Sequence, residues 1–216
     1  MSLNLSNTSQ SLIINTYYVF KCEETNRMSV NNKIDSNFSI KKMIHMLTSI
    51  SKILDTKIIN TSSHSFEPSG TSVSSIIESK DYITGASGVM HLNESHISFH
   101  SYYEHSISNN IILRLELHIS SCSNKSVYNS INVLSSDNNY ENYYAMTLDY
   151  FHRGLNLENI NQDGGDIFKT YIQSKVGQYD IIEDEPSLSF QHTKIIRKKE
   201  HHDSDALIEC LNKFLI

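Results

Sequence analysis

The chain has 216 residues, a formal net charge of −6 and a hydrophobic content of 38%, enough to form one domain around its own core. With that sign of charge and a single basic run, Arg197-Lys198-Lys199, a nucleic-acid surface of clustered Lys and Arg is excluded. Cys22, Cys122 and Cys210 are far apart and form no CxxC pair, which excludes a zinc knuckle or a disulfide framework.

The first residues, MSLNLSNTSQ, lack the basic start and apolar core of a signal peptide. No apolar run approaches the roughly 20 residues that span a bilayer, so a soluble cytoplasmic protein with no membrane partner is expected. Leu12 to Phe20 is rich in β-branched and aromatic residues and predicts a strand. Met43, Ile44, Leu47, Ile50 and Leu54 recur at helical spacing and predict an amphipathic helix over 40–54. A short strand follows at Lys57 to Asn60, a turn at Phe66-Glu67-Pro68-Ser69-Gly70 and a strand at Thr71 to Ile77. His96 to Glu104 alternates His96, Ser98, His100, Tyr102 and Glu104 with Ile97, Phe99, Ser101 and Tyr103. Ile111 to Cys122 alternates in the same way, with Ile111, Leu113, Leu115, Leu117 and Ile119 on one side and Arg114, Glu116, His118, Ser120 and Cys122 on the other. Helices are predicted around Val127 to Leu134, Asp166 to Ser174 and Asp205 to Leu215, and strands at Tyr143 to Phe151 and Leu188 to Ile196. Consecutive strands with short connections, together with these helices, predict an α+β fold: one antiparallel sheet with helices packed on one face.

The polar sides of the two alternating strands form a poor core. If the strands pair as a hairpin, Glu116, His118 and Cys122 join His96, His100, Tyr102 and Glu104 on one surface, where a nucleophile, a base and a thiol acid can meet. A solvent-facing polar sheet is the plain alternative. A metal site is not predicted, because no HxH or HExxH pattern occurs and His201-His202 are adjacent and flanked by charge.

The stretch HLNESHISFHSYYE, residues 91–104, resembles the processing site of the bacterial S-adenosylmethionine decarboxylase proenzymes. FEPSGTS (66–72), RLELHISSC ending at Cys122, LDYFHRG (148–154) and QHTK (191–194) are similar to the longer bacterial subgroup, in the same order along the chain. The resemblance implies self-cleavage before the serine. Ser95 Oγ attacks the carbonyl carbon of Glu94, the amide becomes an ester, and β-elimination frees residues 1–94 as one chain. The new first residue of 95–216 passes through dehydroalanine to a pyruvoyl group. His100 matches the processing base. Ser87 stands thirteen residues before it and matches an oxyanion partner, with Ser72 as a rival. The pyruvoyl ketone forms a Schiff base with the substrate amine and accepts electrons as CO₂ leaves. Cys122 matches the proton donor, a task that suits a thiol with a reference pKa of about 8.5. Glu104 matches the carboxylate that holds the ribose hydroxyls, and Phe66 and Tyr102 are candidates for stacking on adenine or the sulfonium, with ordinary core aromatics as the alternative.

The resemblance also implies an S-adenosylmethionine substrate, a homo-oligomer of cleaved protomers and, in some members, Mg²⁺, for which no ligand set is visible here. The sequence departs from the pattern at Tyr103, Ser123 and Tyr18, which stand where the family carries proline, glycine and an acidic residue. Two alternatives stay open: the same chemistry on arginine or ornithine, and an inactive partner subunit.

Overall fold

The structure is a computed structural model. It describes residues 9–65, 71–79, 95–107, 109–122, 125–136, 138–153, 168–186, 190–200 and 203–215. Eight strands form one sheet: β1 (Ser9–Lys21), β2 (Thr56–Ser65), β3 (Thr71–Ser79), β4 (Ser95–Ile107), β5 (Asn110–Ser121), β6 (Ala145–Arg153), β7 (Tyr179–Pro186) and β8 (Phe190–Arg197). Their order is β2-β3-β4-β5-β1-β6-β8-β7, and every pairing is antiparallel. The helices are α1 (Arg27–Asn37), α2 (Ile40–Ile53), α3 (Ile131–Ser136), α4 (Asn138–Glu141), α5 over 168–175 and α6 (Asp205–Phe214). The α+β class and the antiparallel sheet are those predicted.

Alternation explains how the strands bury. In β1, Leu12, Ile14 and Tyr18 enter the main core, where their register partners Ile119, Leu117 and Leu113 of β5 also lie. Helix α2 closes that face over β2, β3 and β4 with Met43, Met46, Leu47 and Ile50, all buried. Each such side chain contributes about 1.5–3 kcal/mol of transfer free energy. The turn between α2 and β2 uses Asp55 at φ 52°, and that between β4 and β5 uses Asn109 at φ 60°; Asn and Asp tolerate this left-handed region better than most residues.

The C-terminal helix departs from the single-face arrangement. Leu207, Leu211 and Leu215 pack with Tyr17, Ile112, Ala145 and Ile196 in a second, smaller core. Tyr17 pairs with Ala145 in register and Ala145 with Ile196, so they share the sheet face opposite Leu12 and Ile14. This end of the second face is apolar, which is why α6 covers it. Ser204 caps the helix by accepting a hydrogen bond from the Leu207 N–H at 3.2 Å. The Tyr17 ring stacks on Phe214 at 5.4 Å between centroids. Beyond α6 the same face is polar. No helix among the described residues is long and apolar enough to cross a membrane.

Candidate active site

Strands β4 and β5 build the polar part of that face. Ile97, Phe99 and Ser101 are buried, while His96, Ser98, His100 and Tyr102 are half-buried. On β5, Leu113, Leu115, Leu117 and Ile119 are buried, and Arg114, Glu116, His118 and Ser120 are half-buried. The hairpin register sets Tyr102 opposite Arg114, His100 opposite Glu116, Ser98 opposite His118 and His96 opposite Ser120. Opposed residues share a face, so Glu116 and His118 join the β4 histidines as alternation predicts.

Within this surface the side chains touch in sequence. The His100 and Tyr102 rings stack with centroids 5.9 Å apart and planes 13° from parallel. The Arg114 guanidinium carbon lies 4.7 Å from the Tyr102 ring centroid. Arg114 Nη1 donates to Glu116 Oε2 at 3.2 Å. An ion pair this exposed contributes only about 0–1 kcal/mol, and the cation–π contact about as much; what the cluster supplies is orientation. His96 meets His118 edge to face at 5.1 Å. Burial pushes the His118 imidazole below its ordinary value; nearby Glu116 opposes this and His100 adds to it.

The face continues across the sheet. β1 places Asn15 beside Glu116 and Ile13 beside His118, and β6 places Thr147 and Asp149 next in line. Asn15 Nδ2 donates to Thr147 Oγ1 at 3.2 Å. LDYFHRG and QHTK prove to be neighbours, because β6 pairs with β8 so that Asp149 faces His192. The Asp149 carboxylate contacts His192 Nδ1. Neither this contact nor the Arg114–Glu116 pair was legible as a partnership in sequence. The first needs the β6–β8 register, and the second is visible only as an i, i+2 spacing.

Ser95 is the first residue of β4 and pairs with Ile77 of β3. The β4–β5 ladder ends at His96–Ser120. One step further, the strands bring Ser95 level with Ser121 and set Cys122 just beyond, across an interstrand gap of about 4.8 Å. Cys122 is half-buried and its sulfur is not in a disulfide. His100 does not share this corner. Five residues of strand separate it from Ser95, about 16 Å along the chain, and the odd spacing puts the two positions on opposite faces. β3 sets Ser72 directly opposite His100.

Two further positions differ from the sequence reading. The ladder skips from Tyr103–Leu113 to His105–Ile112, so Glu104 is the extra residue of a β-bulge; alternation places side chains only as far as Tyr102. Tyr18 does not lie on the polar face. It is buried in the main core and donates its hydroxyl hydrogen to the Tyr140 carbonyl at 2.7 Å, and burial raises its phenol far above the usual range. The β1 positions nearest the site are Asn15 and Tyr17. Phe66, Ser87 and Glu94 lie outside the described residues, and Ser72, Ser95 and Glu104 are placed by their backbone alone. Among the described residues no group of three or more His, Cys, Asp or Glu side chains is placed to hold a metal ion.

Comparison with known proteins bears on this arrangement. The chain is 23% identical over 198 residues to the S-adenosylmethionine decarboxylase proenzyme of Clostridium botulinum (strain Eklund 17B / Type B), covering 81% of this chain and 69% of that protein. It is 26% identical over 164 residues to the proenzyme of the same name from Hahella chejuensis, covering 69% and 61%. The chain is thus similar, at 23–26% identity, to bacterial S-adenosylmethionine decarboxylase proenzymes. The Halorhodospira halophila proenzyme matches at 26% identity over 60% of its own length, so the chain spans about three-fifths to two-thirds of these curated proenzymes. The crystal structure of the adenosylmethionine decarboxylase from Aquifex aeolicus aligns with 68% of this chain and 88% of its own, at 14% identity and a TM-score of 0.37. No family model matches the chain.

Proposed function

We propose that the chain is a pyruvoyl-dependent S-adenosylmethionine decarboxylase that forms the aminopropyl donor for polyamine synthesis. In this reading the single domain cuts itself between Glu94 and Ser95 into chains 1–94 and 95–216. The observation that carries the reading is the corner where Ser95 opens β4 and the Cys122 thiol follows the end of β5. A pyruvoyl group at residue 95 would supply the electron sink for loss of CO₂ from the substrate. The residues present fit such a group, because it would sit at a chain end near a half-buried thiol that lies just past the last residue of β5, where strand alternation no longer fixes the side it faces, and that is able to deliver a proton. The relatives' printed names point to S-adenosylmethionine as substrate. Glu104 is the carboxylate for the ribose hydroxyls and Phe66 the ring for adenine. Tyr102 is already engaged with Arg114 and His100 and falls to the protein side of the site.

Processing needs a base at Ser95, and about 16 Å of strand separates His100 from it within one chain. His100 therefore serves the Ser95 of a second copy, with Ser72 beside it as the hydroxyl partner and Ser87 as the less supported choice. A homo-oligomer follows from this reading. The test is release of labelled CO₂ from carboxyl-labelled S-adenosylmethionine by purified, cleaved protein, with arginine and ornithine as controls. Release from S-adenosylmethionine alone is expected. Release only from a free amino acid would overturn the substrate, and release from none of the three would overturn the activity.

A further inference from the structure

We infer that Arg114, Glu116 and Tyr102 form a clamp that positions the His100 imidazole and tunes its charge. The clamp's proposed role in processing rests on the function above, but its geometry does not.

The four residues stand at the corners of a square on two adjacent strands, three of its sides made by side-chain contacts and the fourth by strand register. His100 stacks on Tyr102, Tyr102 carries the Arg114 guanidinium, Arg114 holds Glu116, and Glu116 stands opposite His100 in register. His100 Nδ1 is buried and has no hydrogen-bond partner among the described residues, where stacking on Tyr102 is the contact that orients the ring. Arg suits its place because a planar guanidinium can lie on an aromatic face while its edge grips a carboxylate.

The clamp is also balanced in charge. Arg114 neutralises the carboxylate directly across from His100, so the imidazole faces a paired acid rather than a bare one. The other titratable or charged groups on this face include His96 on the same strand, His118 on β5, Tyr17 on β1, Asp149 on β6 with His192 of β8 opposite it and, four strands away on the same rung, Lys194 of β8. β3 contributes Ser72 and β1 contributes Asn15, neither of which titrates. His118 lies near both His100 and Glu116, as expected of a compact electrostatic unit.

The test uses the full chain carrying Ser95→Ala, which cannot form the ester, so His100 is read without cleavage. Histidine NMR titrations, with the His100 signal assigned by its loss in His100→Gln, are compared in three further backgrounds. Arg114→Met leaves Glu116 bare opposite the ring, so the His100 midpoint moves to higher pH by about one pH unit. Glu116→Gln leaves Arg114 uncompensated and moves the midpoint to lower pH. The double variant returns it close to its starting point, which a loss of packing alone would not do. Circular dichroism confirms that each variant is folded. Midpoints that stay together in all four chains would overturn the clamp.

In the cleavable chain, Arg114→Met slows self-cleavage about tenfold, because the ring is no longer held. The acidic limb of its rate–pH profile moves with the NMR midpoint. If the midpoints move as expected while the cleavage profile does not, the clamp stands and the processing role of His100 falls.

Discussion

Cleavage between copies makes a quantitative prediction. Two inactive chains are co-expressed in equal amounts with different affinity tags. One carries Ser95→Ala and keeps His100; the other carries His100→Ala and keeps Ser95. Neither cleaves alone. The structure sets His100 about 16 Å along β4 from Ser95 and on the opposite face, so neither defect can be repaired within one chain. In a mixed pair, His100 of the first chain meets Ser95 of the second, and the second is cut. Random pairing in a two-fold dimer puts about half of the His100→Ala chains into mixed pairs, so about half of them are cleaved. The Ser95→Ala chains stay whole. A denaturing gel probed for each tag reads both outcomes, because each whole chain is 24.7 kDa. Absence of cut His100→Ala chain, in a preparation shown to contain mixed oligomers, would refute processing between copies. Cleavage of His100→Ala on its own would remove His100 from processing altogether.

Three other variants probe the site and the fold. Cys122→Ala is expected to leave self-cleavage intact and to lower turnover about 10²–10⁴-fold, the range for loss of a positioned acid; CO₂ release at the wild-type rate would remove Cys122 as proton donor. Leu211→Ala empties a fully buried position between α6 and the sheet. It is expected to cost about 2–5 kcal/mol and to lower Tm by roughly 5–15 °C, and a loss below about 2 °C would contradict the second core. His152 is 3% exposed, and neither ring nitrogen has a hydrogen-bond partner among the described residues. Burial holds its value below the ordinary 6.5, so below pH 6.5 the unfolded chain takes up a proton that the folded chain resists. Stability is therefore full above that pH and falls as pH drops beneath it. His152→Phe is expected to lose less Tm than the wild type between pH 7.5 and 5.5, and an equal loss would show that His152 is not the cause.

The strands were readable in the sequence wherever one face met the core and the other did not. β5 and the first half of β4 alternate so strictly that their polar residues could be assigned to one surface. α2 and α6 were readable from helical spacing, although nothing in the spacing of Leu207 and Leu211 says that α6 crosses to the second face; that depends on Tyr17, Ile112, Ala145 and Ile196 meeting through the register. α1 was not readable, because only Ile34 of its residues is buried and no apolar stripe exists to find. β7 was hidden by its acidic sequence, YDIIEDEP, which is tolerated on an edge strand with Ile181 and Ile182 exposed. Period two also misled at one place, where it carried Glu104 past a bulge that only the pairing with β5 reveals. The odd spacing of Ser95 and His100 by itself puts them on opposite faces; it was the resemblance, not the alternation, that joined them. The match of Tyr18 to an acidic position of the family said nothing of which side of β1 it occupies, and the register puts it on the core side.

The measurement that bears most directly on the account is the intact mass of the purified wild-type protein under denaturing conditions, beside that of Ser95→Ala. Two species are predicted from the wild type, residues 1–94 ending in Glu94 and residues 95–216 beginning with a pyruvoyl group in place of Ser95. A single uncut species near 24.7 kDa is predicted from the variant. A wild type that stays whole, or a second chain that begins with an unaltered serine, would contradict the account.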